Sequence, residues 1–232
     1  MKLYRLLFKP DLATPVLALL FASVVCVALV ATRVIMDGNL HYAFLGWNLF
    51  LAWLPLIFAL LLCDQHVQGG QRRWRLAGWG LTWLLFFPNA PYIFTDLKHL
   101  NSQFFPHYWT NMLLILSCAL TGLMLGFVSL YIVQSVVADR FGRGMGWLLV
   151  AGVAGLSGVG VFIGRFLRFN TWDLVWRPVS LVQRTGGWFS NPFADAEAYE
   201  FSLLFAVFIF IAYLMFHALT KLPAAEKLAG AR

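Results

Sequence analysis

The chain has 232 residues, of which 61% are hydrophobic and 12% are charged, whereas an ordinary soluble domain carries about 45 to 50% apolar and about 25% charged residues. So few ionic groups could not cover the surface of a soluble fold of this length. A disordered chain would not hold 22 Phe, 10 Trp and 7 Tyr. The composition therefore excludes both classes and predicts an integral membrane protein.

The charge and cysteine content narrow the class of partner. Lys and Arg number 17 against 10 Asp and Glu, a net charge of +7, and basic loops on the cytoplasmic side of a membrane protein explain such an excess. No nucleic-acid-binding module is visible, so we expect no nucleic-acid partner.

Cys26, Cys63 and Cys118 lie inside apolar runs, which indicates packing residues rather than a disulfide framework or a zinc site. We expect the lipid bilayer as partner, and no cofactor.

Six apolar stretches of at least 18 residues contain no Asp, Glu, Lys or Arg. They cover residues 15–32, 42–63, 76–95, 108–138, 144–164 and 201–220. Because an α-helix needs about 20 apolar residues to cross about 30 Å of hydrocarbon, each stretch predicts a membrane span. We expect one integral membrane domain over residues 1–232, with an all-α fold that is a polytopic transmembrane helical bundle of six spans.

The first stretch, 15–32, follows three basic residues at the N-terminus and is longer than the roughly 7 to 15 apolar residues of a signal peptide. We therefore predict an uncleaved first membrane helix. Across the six spans, eleven basic residues fall on one side and six on the other. Since cytoplasmic loops carry the excess of Lys and Arg, both termini are predicted to be cytoplasmic.

The third span contains two prolines, Pro88 and Pro91, with Asn89 between them. Each proline removes a backbone donor and clashes with the preceding turn, so the helix must kink or open there. The carbonyl groups freed by such a break need partners, because lipid supplies none. Asn89 is a candidate donor to them and equally a candidate substrate contact.

Small residues recur at a spacing of four in the fourth and fifth spans. The fourth span carries Cys118, Gly122 and Gly126, and the fifth carries Gly160 and Gly164. This spacing places the small residues on one face of each helix, where two backbones can approach closely. We predict that the fourth and fifth spans pack against each other through these faces.

Polar side chains gather near the outer ends of the predicted spans. They are Asn48, Asn89, Thr95, Asp96, His99, Asn111, Arg165, Arg168, Asn170 and Asp173. The rise of an α-helix places both Asp96 and Arg165 about 30 Å from the cytoplasmic ends of their spans. Because an unpaired charge beside hydrocarbon is costly, we predict that these two side chains form an ion pair.

Two interpretations of this cluster stay open. In the functional one, Asp96, His99 and Asp173 are candidate catalytic residues for proton transfer. The candidate substrate-binding residues are then Asn48, Asn89, Asn111, Arg165, Arg168, Asn170 and Trp172. In the structural one, Asp96 and His99 bond to each other, the arginines reach head-group phosphates, and Asn170 caps the helix that Asp173 begins.

The loop between the fifth and sixth spans is long, and its first part is amphipathic. Apolar residues recur at spacings of three and four over residues 171–183, namely Trp172, Val175, Trp176, Val179 and Val182. This pattern predicts a helix that lies on the outer leaflet and covers the polar cluster. Pro178 falls inside the segment and bends or ends that helix.

Two runs carry a resemblance to a known family. They are FPNAPYIFTDLKHL at residues 87–100 and GRFLRFNTWD at residues 164–173. With these runs the chain resembles domain of unknown function 1361, a family of bacterial integral membrane proteins without an assigned activity. The resemblance implies a multi-pass protein of the bacterial inner membrane, and it carries no catalytic residue or substrate.

Two catalytic motifs are considered and set aside. Residues 155–158 reproduce the G-x-S-G pattern of rhomboid proteases, but helix arithmetic separates Ser157 from His217 by about 14 Å, too far for a nucleophile and its base. A metal site on Asp96, His99, His107 and Asp173 lacks the regular ligand spacing of a dedicated site.

Three functions remain compatible with the sequence. The first is an enzyme or binding protein at the outer face, acting on a lipid-linked or anionic amphiphilic substrate whose head group the arginines hold. The second is a non-catalytic membrane subunit or assembly factor that docks a protein partner of unknown identity. The third is a small permease, which the broken third span favours and the lack of ionisable residues in mid-span disfavours.

Overall fold

The computed structural model describes residues 10–68, 73–100, 108–169, 171, 173–176, 178–180, 182–183 and 196–222. All regular secondary structure in these ranges is helical, so the predicted all-α fold is confirmed. The elements in chain order are α1 (Pro10–Asp37), α2 (Ala43–Val67), α3 (Arg73–Phe86), α4 (Asn89–Tyr92), a 3-10 helix (Ile93–His99), α5 (Tyr108–Phe141), α6 (Arg143–Phe166), α7 (Asp173–Trp176) and α8 (Ala196–Leu219).

Five of the described helices, α1, α2, α5, α6 and α8, are long and apolar enough to cross a membrane. The third predicted span differs from them, because its helix α3 has only 14 residues. A helix of that length rises about 21 Å, which is short of a hydrocarbon layer of about 30 Å. The chain continues past the prolines as the one-turn helix α4 and the 3-10 helix. The interruption predicted at Pro88 is therefore present.

Helix α5 forms the centre of the bundle, and α8 lies at its edge. In the most apolar 18-residue stretch of each helix, 67% of the residues are buried in α5 and 11% are buried in α8. Helix α5 packs against α1, α2, α6 and the 3-10 helix, whereas α8 packs mainly on α6. Large apolar side chains such as Phe21, Leu148 and Leu203 point outward and are exposed. An apolar exterior of this extent matches a lipid environment.

The broken segment after α3 lies inside the bundle rather than on its rim. Phe87, Ala90 and Ile93 are almost completely buried. The backbone carbonyl of Phe86 accepts a hydrogen bond of 2.9 Å from Nδ2 of Asn89. Asn89 thus supplies a donor to the backbone that the prolines leave unpaired, which is the capping role the sequence predicts.

The glycines of the fourth and fifth spans have a different partner from the predicted one. A Cβ atom on Gly122 would lie 3.0 Å from the carbonyl oxygen of Ala90, and one on Gly160 would lie 3.0 Å from Cγ of Pro88. The two helices pack against each other, as predicted, but both turn these glycines toward the broken segment, so the expected contact between the two glycine faces is wrong. The physical reason is that the irregular backbone of the break needs close neighbours on two sides.

The bundle has two ends with different contents. The Asp96 end holds the start of α2, the 3-10 helix, the start of α5 and the end of α6. The Asp139 end holds the end of α2, the start of α3 and the turn that joins α5 to α6. That turn is a single residue, Gly142, with a φ of 91° that side-chain-bearing residues rarely adopt.

Candidate functional site

An ion pair joins the 3-10 helix to the end of α6 at the Asp96 end. Nη2 of Arg165 lies 2.5 Å from Oδ1 of Asp96, and the two side chains are 8% and 1% exposed. The predicted pairing of these residues is therefore confirmed. A pair this deeply buried is sensitive to the loss of either member, because the remaining charge has no water to solvate it.

The guanidinium group of Arg165 is held on every side. Its Nε donates to Oγ1 of Thr95 at 2.9 Å, and its Nη1 lies 3.4 Å from the hydroxyl oxygen of Tyr92. The same group stacks over the Tyr92 ring, with its central carbon 4.9 Å from the ring centroid. The contacts of its three nitrogen atoms and of the Tyr92 ring together fix the orientation of the guanidinium group.

The second carboxylate oxygen of Asp96 is also occupied. Nδ2 of Asn48, on α2, donates to Oδ2 of Asp96 at 2.8 Å. Asp96 therefore links three elements that are distant in sequence, namely α2, the 3-10 helix and α6. Such a fully satisfied polar network fixes the relative positions of the elements that carry it.

A cavity of about 560 Å³ lies next to this network, between α2, α3, the broken segment and the end of α6. Its polar lining consists of Asn48, Asn89, Tyr92 and Thr171. The rest of the wall is apolar and consists of Trp47, Leu51, Leu81, Leu84, Leu85, Pro88, Leu156, Gly160, Ile163, Gly164 and Phe169. Because Trp47, Leu81 and Leu156 are each more than half exposed, the cavity opens sideways at the outer wall of the bundle.

Asn89 connects the broken segment to the residues that follow α6. Its Nδ2 donates both to the carbonyl oxygen of Phe86 and, at 3.1 Å, to Oγ1 of Thr171. The predicted capping role of Asn89 is therefore present. The same side chain also lines the cavity, where a substrate contact is predicted. The amide and hydroxyl groups here can donate or accept hydrogen bonds toward a bound head group.

Two exposed cations, Lys98 and Arg168, lie at the Asp96 end, and neither lines this cavity. The loss of hydration on partial burial, together with the cations of Arg165 and Arg168, lowers the pKa of Lys98. Arg168 is exposed and has a φ of 59°, so the chain leaves the helical path of α6 at this residue. Desolvation is the larger cause of the lowered pKa of Lys98, and the neighbouring cations add to it, so the surface here is basic and attracts anions.

His99 stands apart from the ion pair. Its ring packs against Phe44 with centroids 4.9 Å apart, and it has no hydrogen bond to Asp96 in the part of the chain that the structure describes. Burial, and then the nearby Arg165 cation, lower the pKa of His99, while Asp96 acts in the opposite direction. The neutral imidazole is therefore favoured at this position.

Two further predicted site residues, Asn111 and Asp173, are not brought to the cavity. Asn111 is buried at the start of α5, and its Oδ1 has no hydrogen-bond partner among the described residues. Asp173 is the first residue of α7 and does not line the cavity. Asn170 and Trp172 lie outside the described residues. The continuous helix predicted over 171–183 stays a prediction, since the structure describes α7 and only isolated residues after it.

Two residues of the site, Tyr92 and Thr171, escaped the sequence analysis, and Thr95 was placed in the polar cluster without a role. Tyr92 and Thr95 hold the guanidinium of Arg165, and Thr171 holds Asn89. Tyr92 and Thr95 belong to the run at residues 87–100, so their nearness in sequence to Asp96 was the available signal. Within the described ranges, no group of three or more His, Cys, Asp or Glu side chains is placed to hold a metal ion.

Comparison with known proteins identifies a family. No curated protein and no solved structure matches the chain significantly. The family model described as "Protein of unknown function (DUF1361)" matches residues 47–220, a range that begins beside Asn48 and includes the break, the ion pair and α8. Since this range is about three quarters of the sequence, the chain belongs to the DUF1361 family.

Proposed function

We propose that this protein is a multi-pass membrane protein that binds an amphiphilic ligand in the cavity at the Asp96 end. The observation that carries the proposal is the composition of the cavity wall. Its apolar part opens toward exposed Trp47 and Leu81, and its polar part is confined to the region of Asn48, Asn89 and Thr171. A ligand with a hydrocarbon chain and a polar head matches that division.

The charges nearby favour an anionic head group, such as a phosphate or a carboxylate. Lys98 and Arg168 supply positive charge at the surface of the same end, outside the cavity wall, whereas Arg165 is committed to Asp96. In this proposal Arg165 positions the site and Arg168 attracts the head group from the surface. Because Asp96 is buried and both its oxygens accept hydrogen bonds, we propose binding, and the catalytic roles predicted for Asp96, His99 and Asp173 stay predictions.

The proposed topology has six crossings with both termini in the cytoplasm, in the inner membrane of a bacterium. The eleven-to-six distribution of basic residues supports this orientation. The third crossing, residues 76–95, consists of most of α3, the break and the start of the 3-10 helix, which together replace one continuous helix. In this orientation the cavity lies toward the outer face, and a ligand enters it sideways from the outer leaflet.

The test compares lipid retained by purified variants. Leu85→Trp fills the cavity, and Leu148→Trp adds the same side chain at an exposed position of α6 that lines no described cavity. Mass spectrometry of the lipids that co-purify in mild detergent should show one lipid class depleted by Leu85→Trp and unchanged by Leu148→Trp. Thr171→Val removes one polar contact, and we expect about fivefold less of the same class.

The non-catalytic subunit is the second candidate, and the completeness of the ion-pair network favours it. Asp96 is 1% exposed and fully hydrogen-bonded, as expected for a group that only fixes the fold. If Leu85→Trp and Thr171→Val leave every lipid class unchanged, the binding proposal is wrong, and a structural role for the network remains.

A further inference from the structure

A second cavity, of about 740 Å³, lies at the Asp139 end of the bundle. It is bounded by α2, α3, α5 and α6, and its wall is apolar apart from one charged residue, Arg140. Leu81, on α3, and Phe141, at the end of α5, line it and are 67% and 63% exposed, so it opens at the outer wall of the bundle. In a membrane, such an opening faces lipid.

Arg140 lies in the last turn of α5 and has no carboxylate partner within the described part of the chain. Its guanidinium carbon is 5.8 Å from the centroid of the Phe141 ring. The acidic neighbour of Arg140 in the sequence is engaged, since Asp139 pairs with His66 at 2.8 Å. Asp64 accepts a hydrogen bond from Gln68 through Oδ2 at 2.5 Å, and its buried Oδ1 has no partner among the described residues. A guanidinium at the mouth of an apolar cavity is therefore left for a ligand.

The charge of this end also favours an anion. Arg75 lies in the first turn of α3, and Arg143 begins α6 directly after Gly142. Between the acyl chains of lipids and an apolar cavity wall there is little hydrophobic driving force, because the lipid phase is as apolar as the wall. Selection among lipids must then come from the head group, where each basic residue near a membrane surface attracts anionic lipid.

We propose that this cavity binds one anionic phospholipid, with an acyl chain between α3 and α6 and the phosphate at Arg140. This cavity shares Leu81 and Leu84 with the one under Proposed function, but Arg140 lies at the opposite end of the bundle from the polar residues there, so the two head-group sites are distinct. A guanidinium group and a phosphate form bidentate, charge-assisted hydrogen bonds.

The test measures binding of phosphatidylglycerol and phosphatidylcholine with identical acyl chains, by native mass spectrometry of the full chain released from detergent. We expect the protein to prefer phosphatidylglycerol, and Arg140→Gln to weaken that binding about fivefold while leaving phosphatidylcholine unchanged. Arg140→Lys keeps the charge and should retain most of the preference. The matched control is Arg143→Gln, which removes a positive charge from the same end of the bundle at a residue that does not line the cavity.

Two further variants locate the site. Val136→Phe fills the cavity and should weaken binding of both lipids, whereas Leu148→Phe, at an exposed position, should not. Leu85→Trp fills the other cavity, so the effect of Arg140→Gln should be the same with and without it. The proposal is overturned if Arg143→Gln matches Arg140→Gln, if Val136→Phe changes nothing, or if Leu85→Trp alone abolishes the preference for phosphatidylglycerol.

Discussion

The two ends of the bundle each hold a contact between an acidic and a basic side chain, and the two contacts differ in burial. At the Asp96 end, Asp96 and Arg165 are 1% and 8% exposed. At the Asp139 end, His66 and Asp139 are 23% and 74% exposed, at a similar separation of 2.8 Å. Equal geometry therefore does not imply equal energy, because water screens the second pair and not the first.

The surroundings of the two pairs explain why only one of them is enclosed. The buried pair lies where a helix is interrupted, so several elements must converge to satisfy freed backbone groups. The exposed pair lies where continuous helices end at the surface. An interruption inside the bundle thus creates the demand for a fixed polar network, and ordinary helix ends do not.

The largest expected effect is on the buried pair. Arg165→Ala leaves Asp96 uncompensated and should lower the free energy of unfolding by about 3 to 5 kcal/mol, measured as loss of yield and of thermal stability in detergent. The Asp96→Ala, Arg165→Ala double variant should lose less than the sum of the single variants. Additive losses would mean that the two charges do not depend on each other.

The packing around the break gives the next effect. A Cβ atom on Gly122 would lie 2.7 Å from Cδ1 of Ile93, whereas one on Gly152 would meet nothing within 4 Å. Gly122→Ala should therefore destabilise the protein by about 1 to 3 kcal/mol through overpacking, and Gly152→Ala should be neutral or stabilising. Thermal unfolding of the two variants side by side measures the difference. Equal melting temperatures would contradict the close packing of α5 against the broken segment.

A smaller effect is expected from acidification. Since the pKa of His99 is lowered in the folded protein from its ordinary value of 6.5, the unfolded chain takes up a proton at this residue before the folded chain does. Stability from this residue is therefore complete above about pH 6.5 and declines as the pH falls toward the folded pKa. The melting temperature of His99→Gln should fall less over this interval than that of the native chain. An unchanged slope would contradict the assignment.

The smallest effect is expected at the exposed pair. Asp139→Asn removes the charge opposite His66 and should change the free energy of unfolding by less than about 1 kcal/mol, because exposed ion pairs contribute little. Thermal unfolding at low and high salt, compared with Arg165→Ala under the same conditions, sharpens the contrast between the two ends. A loss as large as that of Arg165→Ala would show that exposure does not separate them.

Much of the fold follows from the sequence through composition and chain geometry. Apolar length predicts the long helices, the two prolines predict the end of α3, and the shared depth of Asp96 and Arg165 predicts their contact. Depth does not specify which way a side chain faces around its helix, however. Asn111 lies at the predicted level and is buried, yet it does not line the cavity.

The errors have the same origin. A spacing of four identifies a face of small residues and not the partner of that face. It therefore predicts that the glycine faces of α5 and α6 meet each other, whereas Gly122 and Gly160 meet the break. Likewise, the roles of Tyr92 and Thr171 depend on contacts 73 and 82 residues away along the chain. Local patterns cannot report contacts made at that separation.

The separation between Asp96 and Arg165 has a consequence for biogenesis. Asp96 is synthesised 69 residues before the side chain that neutralises it. At about 5 to 20 residues per second, a ribosome needs several seconds to bridge that interval. During this time Asp96 can be bound by Asn48, which is made earlier, but not by Arg165. The polar network around the break is therefore complete only once α6 has been synthesised.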